Sequence, residues 1–103
     1  MTVRDFVADE LCIPVTLVGF YYMVEGIELV LDTRESKFYK RLADITHTSP
    51  RYLEKALRDS KNMGLRYMDD ALKREIFKKS QPTTTEYIHK TADYYRRTYE
   101  NKE

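Results

Sequence analysis

The sequence is short of the residues that punctuate a chain. Only three of its 103 residues are Gly and three are Pro, so few tight turns can be built, and long elements with short connections are expected. A single cysteine, Cys12, excludes a disulfide framework within one chain and a Cys-rich zinc site. It fits a reducing, cytoplasmic setting. Tryptophan is absent, but nine Tyr are present, and Tyr can bury its ring while its hydroxyl stays wet. No apolar run approaches the ~20 residues that span a bilayer, so no membrane partner is expected. The start, Met1-Thr2-Val3-Arg4-Asp5-Phe6, carries an acid early and lacks the apolar core of a signal peptide. Charge of one sign is lacking too. Lys and Arg number 18 against 17 Asp and Glu, for a net charge of +1, and as a total this counts against nucleic acid, whose binding domains are usually basic. No nucleophile elbow, phosphate loop, metal pair or catalytic carboxylate dyad is present, so the expectation is no enzyme, no cofactor and no metal.

What remains is 42% hydrophobic and 34% charged, ordinary for a soluble chain and enough for a single domain over residues 1–103. Val3, Phe6, Val7 and Leu11 fall at helical spacing after Thr2, with Asp5 three residues on as a capping partner. Pro14 interrupts, and a long apolar pattern from Val15 to Leu31 follows, read as helix from its length and the Glu25 and Glu28 spacing. Ser36 to Thr46 carries Phe38, Leu42 and Ile45 at i, i+4, i+7, the mark of a short amphipathic helix. Ser49-Pro50 opens the next helix as N-cap and first residue, and Gly64 suits its C-terminal stop. Asp69-Asp70 opens a short helix over Ala71 to about Phe77, with acids in its first turn. Lys78 to Pro82 reads as a connection. Thr83-x-x-Glu86 is a capping box, followed by Tyr87, Ile88, Thr91, Ala92, Tyr95 and Tyr99 at helical spacing. The expectation is an all-α fold of about six helices without a strand.

Residues 36–63 then read as helix, tight turn, helix, the arrangement in which a second helix enters the DNA major groove. Ala43 is small where two helix axes must approach. His47 takes the turn position usually held by Gly, and His tolerates positive φ better than most residues. Leu53, Ala56, Leu57, Ser60 and Met63 form an inward face. Arg51, Lys55, Arg58 and Asn62 form the outward face at i, i+4, i+7, i+11, flanked by Glu54. Arg pairs with guanine O6 and N7 through two parallel bonds, and Glu accepts from cytosine N4. Arg51, Glu54, Lys55, Arg58 and Asn62 are therefore the candidate base-reading residues. Lys37, Lys40, Ser49 and Lys61 are the candidate phosphate contacts, because Lys and a helix N-terminus hold phosphate. The location of charge agrees. Residues 1–33 hold one base and six acids (−5), residues 34–61 eight and four (+4), and residues 62–103 nine and seven (+2).

The run Leu42-Ala43-Asp44 … Thr48-Ser49-Pro50-Arg51-Tyr52-Leu53-Glu54-Lys55-Ala56-Leu57-Arg58 resembles the DNA-binding effector domain of the sporulation initiation regulator family, stage 0 sporulation protein A. Ile13-Pro14 with Gly19-Phe20-x-Tyr22 and Glu25-x-Ile27 resembles that family's second helix. Pro82-Thr83-x-x-Glu86-Tyr87-Ile88 with Ala92-Asp93 resembles its last helix. The resemblance implies a six-helix domain of winged-helix-like type without a clear wing, binding double-stranded DNA through its fourth helix. It also implies self-association on tandem sites, and RNA polymerase or a sporulation regulator as a protein partner. The family's base-reading Glu and following basic residues correspond to Glu54, Lys55 and Arg58. Lys55 stands where the family prefers Arg, and Asp59 where it usually has His. The connections around Asp32 to Lys37 and from Gly64 to Pro82 look shorter than the family's. The expected function is sequence-specific transcription regulation by an effector domain lacking a receiver domain. The alternative, motivated by Asp59 and the acidic first third, is an interaction module that pairs with and antagonises a host sporulation regulator without binding DNA.

Single residues carry plainer expectations. His47 is read as a turn residue, His89 as a surface helix residue and Cys12 as a small core residue. Asp69-Asp70 complements a helix N-terminus. Tyr94-Tyr95-Arg96-Arg97 either packs the last helix or forms a self-association surface.

Overall fold

A computed structural model describes residues 1–33, 38–78 and 81–100. Four of the six helices start on a capping side chain of short reach. Thr2 accepts from Asp5 N at 3.1 Å while its own N–H donates back to Asp5, and α1 (Val3–Asp5) follows, running on into a wider π-helical turn over Phe6–Glu10. α2 (Val18–Thr33) begins three residues later than the apolar pattern, because Pro14 to Leu17 form a turn closed by Leu17 N on Pro14 O. α3 spans Tyr39–Thr46, and the Ser36 and Lys37 start expected for it lies outside the described residues. Ser49 caps α4 (Pro50–Tyr67) by accepting from Tyr52 N at 3.2 Å, with Pro50 in the first turn where its missing N–H costs nothing. Asp69 caps α5 (Asp70–Phe77), and the Thr83–Glu86 box caps α6 (Thr84–Tyr95), which continues as a π-helical turn over Arg96–Glu100. The described residues hold six α-helices and no strand, so the all-α expectation is met.

α2 is the spine. Its residues Phe20, Met23, Ile27, Leu29 and Val30 are buried, and the helix packs against α4 and α6 and also touches α1 and α3. The radius of gyration of 12.6 Å is what one packed body of about this length should have. The last helix closes the first. Phe6 is fully buried and ringed by Tyr94, Tyr95 and Tyr99 at 6.1, 5.3 and 6.0 Å. The Tyr95 hydroxyl donates to Met1 O and the Tyr99 hydroxyl to Glu10, each at 2.5 Å. The Tyr94-Tyr95 pair therefore packs the last helix.

Four local expectations are corrected. Gly64 does not end α4, which continues to Tyr67; Gly64 sits inside it because an added Cβ would come 2.5 Å from Leu11 O. Ile45 is not on the inward face of α3. It is 47% exposed, while Phe38, Leu42 and Ala43 are buried. Cys12 is half-buried and not in the core, with φ of 59° at the turn after the first helix. His89 is half-buried, edge-on to Phe38 at 5.5 Å.

Candidate nucleic-acid interface

α3 and α4 are joined by the three residues His47, Thr48 and Ser49. His47 has the left-handed backbone expected at this turn, φ 57° and ψ 43°. The reversal satisfies the end of α3, with Thr48 N bonding Ala43 O at 3.0 Å and His47 N bonding Asp44 O at 3.4 Å. Ala43 is buried on α3, a helix that packs against α4. This fixes the N-terminus of α4 at the surface, with Ser49, Pro50 and Arg51 exposed.

The rotation of α4 follows from its apolar side. Leu53 and Leu57 are fully buried, and Ser60, Gly64 and Leu65 are buried beyond them. Arg51, Lys55, Arg58 and Asn62 are consequently all exposed. At 1.5 Å of rise per residue the row is ~16 Å long, a little more than the ~12 Å width of the major groove. Ser49, Arg51, Glu54, Lys55 and Arg58 border one shallow depression together with Tyr52. Asn62 lies one turn further along the same row, and Lys40 is exposed on α3. Arg66, missed by sequence reasoning, is exposed four residues beyond Asn62 and extends the row to the last turn of α4. The i+15 step from Arg51 was the available signal. Lys37 lies outside the described residues.

Lys61 is the exception, and the structure withdraws it from phosphate contact. Only 7% exposed, it points inward, and its Nζ donates to the carbonyl of Pro82 at 2.9 Å. Burial pushes its pKa below the ordinary lysine value, the nearby Arg58 charge acts in the same direction, and Glu54 partly offsets both. Lys61 holds the segment before α6 against α4.

The exposed cations are not unaccompanied. Arg58 pairs with Glu54 at 3.1 Å and Lys55 with Asp59 at 3.1 Å, both i, i+4 on the helix surface. Such exposed pairs contribute ~0.2–0.5 kcal/mol, too little to withhold a cation from a polyanion. The order Glu then Arg is the favourable one for a helix, whereas Lys then Asp is the weaker. The Arg58–Glu54 pair is therefore the better held of the two.

An apolar strip borders this face. Val18, Tyr21, Ile45 and Tyr52 are exposed by 51, 60, 47 and 49%. Tyr52 meets Tyr22 edge-on at 6.3 Å, and Val18, Tyr21, Tyr22 and Ile45 line one groove with His47. Among the described residues no group of three or more His, Cys, Asp and Glu could hold a metal ion, and no helix is long and apolar enough to cross a membrane. No protein-family model matches this sequence, and no characterised protein matches it significantly.

Proposed function

We propose that this protein is a cytoplasmic, sequence-specific transcription regulator that lays α4 in the major groove of double-stranded DNA. The observation that carries the reading is the row Arg51, Lys55, Arg58 and Asn62 along the exposed side of a helix whose N-terminus is held at the surface by a short turn and a Ser-Pro start. In this reading α3 crosses the sugar-phosphate backbone, Lys40 and the α4 N-terminus with Ser49 hold phosphates, and Arg51, Glu54, Lys55, Arg58 and Asn62 face base edges. The resemblance to the sporulation effector family supports it, and with it pairing of two copies on tandem sites and contact with RNA polymerase or a sporulation regulator. The test is a binding titration at two salt concentrations. Binding through several phosphates weakens steeply with salt, with a slope of ~0.9 per phosphate. Arg58→Ala is expected to cost ~1–3 kcal/mol at a preferred duplex and to relax base preference. If the variant discriminates between preferred and random duplexes as the parent does, Arg58 is not a reading residue.

One observation favours a second reading. The exposed strip of Val18, Tyr21, Ile45 and Tyr52 is apolar surface of the kind that protein partners cover. The alternative is an interaction module that pairs with and blocks a host sporulation regulator. Absence of DNA binding at low salt, together with capture of that regulator, would select it.

A further inference from the structure

Acids flank the basic row of α4 on both sides. At 100° per residue, Arg51, Lys55, Arg58 and Asn62 form the centre of the exposed stripe, with Glu54 on one edge and Asp59 on the other. Glu54 has a reading role available to it, as an acceptor from cytosine. Asp59 has none assigned, yet it is 58% exposed on the α2 side of the basic row, where it lines a groove with Val18 and Tyr52, and its carboxylate sits on Lys55, which is 66% exposed. We infer that Asp59, through its pair with Lys55, is a specificity-determining residue that penalises DNA lacking a base amino group opposite it. This rests on the DNA-binding reading of α4.

The physics is a competition. On a duplex without its preferred base, Lys55 has no base edge to read and falls back on a phosphate, for which it must leave Asp59. The freed carboxylate then faces the polyanion without a cation and is repelled. On a duplex that places a cytosine N4 amino group beside it, the carboxylate accepts a hydrogen bond and the penalty is removed. Discrimination of this kind comes from a repulsive element aimed at wrong partners. The weaker order of the Lys55–Asp59 pair suits it, since the lysine stays exchangeable.

The test is Asp59→Asn, which keeps size and removes the charge, with Glu75→Gln on α5 as a control of equal charge change outside the α4 face. Each protein is titrated by fluorescence anisotropy against a random-sequence duplex and against the duplex recovered by in-vitro selection, over a range of salt. For Asp59→Asn, affinity for random DNA is expected to rise about five- to tenfold near 0.1 M salt and the salt slope to steepen by ~0.9 as Lys55 takes up one more phosphate. Affinity for the selected duplex rises less, so the specificity ratio falls, and Glu75→Gln changes neither. A selective parent whose Asp59→Asn variant keeps the same ratio and slope overturns the role of Asp59 alone, as does a Glu75→Gln variant that shifts equally. A parent that binds neither duplex overturns the DNA-binding reading and this inference with it.

Discussion

At the scale of single residues, Lys61 and Arg58 show how far apart neighbours on one helix can be in role. Arg58 is exposed and paired on the surface, while Lys61, three residues on, is buried with its ammonium on Pro82 O. Lys61→Ala is expected to lower stability by ~1.5–3 kcal/mol, the usual worth of a hydrogen bond to a charged group, read as a shift in the urea midpoint. The same variant should leave the salt slope of DNA binding unchanged, where loss of a phosphate contact would reduce it by ~0.9. The exposed row was legible because it depends only on helical spacing and on Leu53 and Leu57 facing inward. The burial of Lys61 was not, because its partner carbonyl lies 21 residues away in sequence and lysine is rarely buried. The same limit applies to Cys12 and His89, whose exposure depends on what the rest of the chain lays against them.

At the scale of elements, the chain uses glycine and left-handed backbone in unrelated places. Gly19, Gly26 and Gly64 all lie inside helices, whereas the positive-φ residues among those described are Cys12, His47 and Lys78. The helical glycines are sites of close approach. A Cβ on Gly19 would overlap Ser60 Oγ and come 2.5 Å from the backbone oxygen of Ala56, so α2 and α4 would have to separate. Gly19→Ala and Gly64→Ala are each expected to lose ~1–3 kcal/mol from overpacking despite the better helix propensity of Ala. Gly26→Ala meets the side-chain tips of Leu42 at 3.3 Å and Ile88 at 3.7 Å, and its propensity gain of ~1 kcal/mol should leave it near neutral. Thermal melts of the three variants, read side by side, check the ordering, and an equal response at all three would deny that α2 and α4 are held at contact distance. The caps at Thr2, Ser49, Asp69 and Thr83 were legible because each is made within three residues of sequence. Gly64 was misread for the complementary reason: a glycine after a periodic run is the local sign of a stop, and only the position of Leu11 and Ile13 shows that it is a packing residue.

At the scale of the molecule, tyrosine and charge carry opposite kinds of information. Burial pushes the hydroxyls of Tyr39, Tyr87, Tyr94, Tyr95 and Tyr99 above the ordinary tyrosine value. Tyr87 is the extreme case, fully buried, stacked on Phe77 at 4.9 Å and without a hydrogen-bond partner for its hydroxyl. A raised folded pKa on a group that is neutral when protonated contributes stability below the unfolded value of ~10 and loses it as pH rises through the higher folded values. Lys61, with a lowered pKa, works the other way and gains as pH approaches its unfolded value. Five tyrosines outweigh one lysine, so the urea midpoint is expected to fall steadily above about pH 10, with tyrosinate absorbance appearing in step with unfolding. A flat midpoint through that range would mean that these hydroxyls ionise in place. The net charge of +1 averages an acidic first third with a basic middle, and the exposed cations of that middle, among the described residues, lie on α3 and α4. The most direct measurement is in-vitro selection of bound duplexes from a random pool by this protein. A single enriched motif whose affinity falls steeply with salt is the expected result, and a pool with no enriched motif after repeated rounds would contradict a base-reading role for α4.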